Sequence, residues 1–211
     1  MNEIKEFRKE IKKMTNQNNN HIIIAPHPDD EIIGCFDILN NPKNNIIVIY
    51  TEEIDKKRKD EAANLRNIFE TVKVQLYLNQ IPQHLFDDKP IIHYPDPIFE
   101  THPIHRLQGN IGEQLLRYMD LKVVFYSTNM TAPYIYENEN SEYKKLALDK
   151  VYPSQKKLWK YDHKYFLFEG HCMWLNQSNW IAKKIKTEKD IPNEVESEII
   201  LTSSGGNINE S

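Results

Sequence analysis

Three short runs in this chain are almost entirely apolar and rich in β-branched residues: "IIIA" at 22–25, "IIVIY" at 46–50 and "VVFY" at 123–126. A strand with one wet face alternates apolar and polar residues, whereas an unbroken apolar run is buried on both faces. Such strands need a covering layer on each side. Amphipathic stretches lie between the runs, so strands at 21–25, 45–50, 73–78 and 122–127 alternate with helices at about 29–39, 55–69 and 106–119. This pattern predicts an α/β fold, a doubly wound and mostly parallel sheet with helices on both faces.

At 211 residues the chain suits one domain of this kind. Residues 1–20 are read as an added amphipathic helix, with Ile4, Phe7, Ile11 and Met14 on one face, followed by the polar connection "TNQNNN". Residues 203–211 form a polar tail. Past Met130 the pattern weakens: 141–149 and 152–159 suit helices, 165–168 a strand, and "ESEIILTSS" an edge strand. A formal charge of −4 supplies no cationic surface for nucleic acid. No run is long and apolar enough to span a bilayer or form a secretory core, and Cys35 and Cys172 form no paired-thiol motif. Those features predict a cytoplasmic protein; a homo-oligomer is left open.

The first apolar run leads straight into "PHPDDE", residues 26–31. Proline and acidic residues suit the first turn of a helix, so Pro28, Asp29, Asp30 and Glu31 make a good helix start on their own. That reading leaves His27 unexplained. Imidazole and carboxylate both bind zinc, and a catalytic zinc needs three protein ligands and an open position. His27 offers one ligand and one aspartate a second, which leaves the neighbouring carboxylate free as a general base. In α/β sheets the ligand crevice lies at the carboxyl ends of the strands, where this motif falls. A third ligand comes from elsewhere in the chain.

The candidate is "THPIH", residues 101–105, at the exit of a long proline-rich segment running from 79 to 106. Loops of that length are often functional. His102 and His105 are the close pair among the eight histidines, so one can bind metal while the other faces substrate. The plainer alternative is a pair of surface histidines at a helix start.

Taken together, "APHPDDE" after a buried strand, Arg58 and Glu61 in "RKDE", and "THPIH" resemble the PIG-L/LmbE-like family of zinc-dependent de-N-acetylases, over roughly residues 21–126. "YPSQ", 152–155, is similar to a further signature of that family, although an ordinary helix start would read the same. The resemblance implies a Rossmann-like fold, zinc on His27, Asp30 and His105, Asp29 as general base, His102 as oxyanion stabiliser and Arg58 as a substrate contact. The alternative for Arg58 is a solvated charge paired with Asp60 or Glu61. Glu31 either supports the site or caps the helix.

The implied activity is removal of acetyl from an N-acetylated amino sugar or its conjugate. Hydrolysis of another amide or ester, and metal-retaining sugar binding without turnover, are the alternatives. His and Asp ligands also suit divalent metals other than zinc. The chain departs from the family pattern at Gly34-Cys35-Phe36, where a glycine pair is usual, at "TEE" (51–53), and at Ile104, where the histidine motif carries Asp. His21, His84, His93 and His163 are read as structural or solvated, and the His171-Cys172 pair as packing. Trp159, Trp174, Tyr134 and Tyr136 are read as core or subunit contacts rather than a sugar platform.

Overall fold

The first apolar run forms β1 (Asn20–Ala25), a strand inside the sheet of the computed structural model. The described residues are 20–78, 81–119, 121–129 and 134–174, without the side chains of Tyr134, Tyr136 and residues 171–174. The expected N-terminal helix, the "ESEIILTSS" strand and the polar tail lie outside them.

After β1 come α1 (Asp30–Leu39), β2 (Asn45–Tyr50), α2 (Lys56–Ala62), α3 (Leu65–Ile68), β3 (Val72–Tyr77) and β4 (Ile91–Pro95). They are followed by α4 (Pro103–Tyr118), β5 (Lys122–Ser127), β6 (Tyr134–Glu137), α5 (Ser141–Val151), α6 (Lys156–Tyr161), α7 (Lys164–Leu167) and β7 (Phe168–Trp174). Among the described residues the sheet has seven strands in the order β3-β2-β1-β4-β5-β7-β6. The first five pair in parallel, and β7 runs antiparallel to both β5 and β6.

Two glycines place the helices. A Cβ on Gly34 of α1 would meet the Tyr126 ring, and one on Gly112 of α4 would meet the Tyr94 ring. Pro95 pairs with Tyr126 across β4 and β5, so Tyr94, one residue earlier, points to the opposite face. The helices therefore cover both faces. On its far side α1 packs against α5, and of its ten residues only Asp37 escapes full burial. The core on this side gathers Ile23, Val48, Phe36, Leu39, Leu148 and Trp159.

The structure corrects several local expectations. The segment from 79 to 106 is not wholly irregular: it contains β4, which lies between β1 and β5. Pro90, His93 and Pro95 hide this strand in the sequence. The helix expected at 55–69 breaks into α2 and α3, where Asn64 N–H turns back to Glu61 O at 2.9 Å. Residues 164–167 are helical, with the strand starting at Phe168. The stretch 152–159 is a short 3₁₀ turn, Pro153–Gln155, leading into α6. β6 was not expected at all. No helix among the described residues is long and apolar enough to cross a membrane.

Candidate metal centre

The strand order reverses at β1. β2 and β3 lie on one side of it, while the chain returns to place β4 and β5 on the other. At such a switch point the loops leaving the two central strands diverge and open a crevice. The turn from β1 into α1 carries His27, Asp29 and Asp30, and the loop after β4 leads to His102 and His105. The topology thus brings together two motifs about 75 residues apart.

In the first loop the chain enters α1 through a constrained turn. Asp29 has φ 117° and ψ −28°, a region that residues with a side chain seldom adopt. Its carbonyl accepts from Ile32 and Ile33 N–H at 3.0 and 2.9 Å, and its own N–H donates to Glu31 Oε2 at 3.1 Å. Asp30 Oδ2 accepts from His27 N–H at 2.8 Å. This conformation directs the adjacent carboxylates Asp29 and Asp30 to different partners. Backbone strain held in place by surrounding bonds is common at functional sites.

His105 is on the first turn of α4, which opens with Pro103 after His102. Its Nε2 lies 3.1 Å from His27 Nδ1 and 3.2 Å from Asp30 Oδ2, and His27 Nδ1 lies 3.4 Å from the same Asp30 oxygen. Ligands bound to zinc at ~2.0–2.1 Å in a tetrahedral arrangement are about 3.3 Å apart. The three donor atoms therefore already have the spacing that a metal requires, and they are the group with this property among the described residues. His27 is the most open of the three, at 26% side-chain exposure against 5–6% for Asp30 and His105.

The electrostatics divide the two aspartates. Burial pushes Asp30 up, but the imidazoles of His105 and His27 more than reverse this, so its carboxyl lies well below the usual range. Burial lowers His105, yet Asp30 and Glu100 carry it to about 10. Asp29 goes the other way: burial and then the Asp30 charge raise it well above its ordinary value, with Arg58 opposing them. One carboxyl is held as an anion, and its neighbour is pushed towards its protonated form.

Arg58 does not pair with Asp60 or Glu61. Its Nη2 donates to Asp29 Oδ2 at 3.2 Å and to Pro28 O, so the guanidinium lies against the site. Asp55 caps α2 by accepting from Arg58 N–H at 2.8 Å. Glu61 instead accepts from Ser154, at 2.9 Å from the backbone N–H and 2.5 Å from Oγ. Tyr152 of the same "YPSQ" stretch donates to Glu31, which is fully buried. The Arg-x-x-Glu and Tyr-x-Ser-Gln segments therefore converge behind the crevice.

His102 is exposed at the mouth, with its ring 5.0 Å from those of both His27 and His105. Burial, then the charges of His105 and His27, lower its pKa and favour neutral imidazole. Glu52 N–H, from the "TEE" stretch, donates to Pro26 O at 3.3 Å, which sets that departure from the family pattern beside the motif. Glu100 is a site residue to which the sequence assigned no role: it is buried and lies 3.1 Å from His105 Nδ1. An acidic residue five positions before a candidate histidine ligand was the available signal.

Of the other marked residues, His21, His93 and Trp159 are buried away from the site. His21 Nδ1 and His93 Nε2 meet at 2.9 Å inside the sheet, and Trp159 is in the core with Nε1 bonded to Asp149 at 3.0 Å. Cys35 is a buried free thiol. His84 and His163 are exposed. The side chains of Tyr134, Tyr136, His171, Cys172 and Trp174 lie outside the described set. Comparison with family models, curated proteins and solved structures found no match.

Proposed function

We propose that the chain is a metal-dependent hydrolase that removes the acetyl group from an N-acetylated amino sugar or its conjugate, as its resemblance to the PIG-L/LmbE-like de-N-acetylases implies. The observation that carries this reading is the meeting of His27 Nδ1, Asp30 Oδ2 and His105 Nε2 at metal-ligand spacing, with Asp29 beside them and committed to none. A divalent ion held by these three atoms, with zinc the first choice, would supply a Lewis acid and an acidified water. Asp29 takes the proton from the attacking water as oxygen adds to the amide carbon. The same carboxyl returns the proton to nitrogen as the C–N bond breaks, releasing acetate and the free amine. His102, neutral at the mouth, donates N–H to the oxygen on which negative charge develops. Arg58 orients Asp29 and offers its remaining donors to the polar groups of the sugar.

The test contrasts the neighbouring aspartates. Asp29→Asn should retain metal while turnover of acetylated amino sugars falls on the order of 10²–10⁴-fold, the cost of losing a positioned base. Asp30→Asn should lose metal. Near-normal deacetylation by metal-loaded Asp29→Asn protein would refute the mechanism. Loss of metal in that variant would mean that the two carboxylates have exchanged roles.

A further inference from the structure

We propose that Glu100, clamped by Thr128, is the positioning residue that sets the tautomer and direction of His105 and so determines how tightly the centre holds its metal. The inference rests on His105 being a ligand, and it goes beyond that assignment to a carboxylate that touches neither metal nor substrate.

Glu100 is in the segment between β4 and α4, five residues before His105 and only 3% exposed. Its Oε2 lies 3.1 Å from His105 Nδ1, the ring nitrogen facing away from Asp30 and His27. Its Oε1 accepts from the backbone N–H of Thr128, just past the end of β5. Thr128 Oγ1 lies 3.1 Å from Oε1, 3.2 Å from Oε2 and 3.3 Å from His105 Nδ1. A second clip lies alongside: Asn129 Nδ2 donates to Thr101 Oγ1 at 2.9 Å, and Ser127 Oγ bonds Asn129 Oδ1 at 2.7 Å. The loop delivering the ligand is thus fastened to the carboxyl end of the neighbouring strand through Glu100 and Thr101.

The chemistry follows from donors and acceptors. An ionised carboxylate only accepts, so the nitrogen facing it must carry a proton. His105 is thereby held with Nδ1–H towards Glu100, so the ring nitrogen aimed at Asp30 and His27, the one that can give up its proton to a metal, is Nε2. A histidine ligand whose other N–H meets a carboxylate is better oriented and more basic, and losing such a partner typically lowers metal affinity 10–100-fold.

Thr128 makes Glu100→Gln a severe change of small volume. The backbone N–H of Thr128 remains a donor, so the amide oxygen of the substituted side chain is drawn to it. The amide nitrogen, itself a donor, then faces His105 Nδ1. That arrangement favours the Nε2–H tautomer, which presents no lone pair to a metal. Glu100→Asp keeps the acceptor character while shortening the reach, so it should recover part of the lost affinity.

The experiment measures zinc affinity by competition with a chromophoric chelator, on the full chain carrying wild-type sequence, Glu100→Gln, Glu100→Asp or His105→Ala. Melting of the chelated proteins is followed in parallel. The expected result is a 10–100-fold weaker affinity for Glu100→Gln, with metal-free melting close to wild type and a smaller loss for Glu100→Asp. Wild-type affinity in Glu100→Gln, alongside a large loss in His105→Ala, would overturn the role of Glu100 alone. Wild-type affinity in His105→Ala would overturn the ligand assignment beneath it. Should Glu100→Gln fail to fold, Glu100→Asp decides: unchanged affinity overturns the proposal, and a measurable loss with intact melting supports it.

Discussion

Replacing Glu31 by Gln should remove a pH dependence of folding stability that the metal-free protein carries between about pH 4.5 and 7. Glu31 is fully buried, with Tyr152 O–H donating to Oε1 and Asp29 N–H to Oε2. Burial lifts its carboxyl from an ordinary 4.5 to about 7, with both donors pulling in the opposite direction. The folded protein therefore binds this proton more tightly than the unfolded chain does. Stability from the group is complete below the unfolded pKa and is lost as pH rises through the folded one. A rise from 4.5 to about 7 corresponds to about 3 kcal/mol at ~1.4 kcal/mol per pKa unit.

Gln has no such proton, so the stability of Glu31→Gln relative to wild type should improve by about 3 kcal/mol between pH 4 and pH 8. Its baseline at low pH is lower, because one of the two donors then faces an amide N–H₂. Asp29 and Asp30 titrate in both proteins; the Glu31 charge raises Asp29 and the Asp30 charge raises Glu31, so this coupling adds to the difference in the same direction. Urea unfolding of both proteins in excess chelator at half-unit pH steps measures it. A stability difference constant to within about 0.5 kcal/mol across that range, the usual scatter of additive effects, would show that Glu31 does not titrate where its burial places it.

Arg58→Ala removes a charge-assisted contact to Asp29, worth ~1.5–3 kcal/mol. Initial rates with an acetylated amino sugar should show kcat/KM down about 10–100-fold, with KM raised and the melting temperature lowered by roughly 3–12 °C. A collapse of melting with normal kinetics in the surviving fraction would return Arg58 to a purely structural role. Gly34→Ala would drive a Cβ into Tyr126, a buried ring whose hydroxyl donates to Ile24 O at 2.8 Å. Overpacking of that kind costs ~1–3 kcal/mol, and chemical denaturation at neutral pH reads it; wild-type stability would mean that the ring moves aside freely.

Much of the site was local enough to be legible in the chain. His27, Asp29 and Asp30 occupy one turn after an apolar run, and a turn of four residues at a strand end has few places to go. Strands β1, β2 and β5 were equally plain, because burial on both faces writes itself as an unbroken apolar run. The ends of α1, α4 and α5 were read within about three residues, the scatter expected where caps and propensities compete. Arg58 was ambiguous: the sequence sets Asp60 and Glu61 beside it, while the fold sets Asp29 beside it.

The sequence by itself determined the α/β class, the strand-to-helix turn at His27 to Asp30, and the chemical types that the site contains. Only the tertiary structure decided which of these types meet. β4 could not be read from "IIHY" between Pro90 and Pro95, because so short a run is settled as a strand by the hydrogen bonds of β1 and β5 on either side. With β4 in place the strand order reverses at β1, and His105 arrives 3.1 Å from a histidine 78 residues earlier. The same placement gives Glu100 its partner Thr128, 28 residues later, and elsewhere in the fold Glu61 meets Ser154, 93 residues away. Local sequence sets backbone preference and side-chain chemistry over a few residues. Contacts at such separations depend on which strands neighbour one another, and that is settled by burying the whole sheet at once.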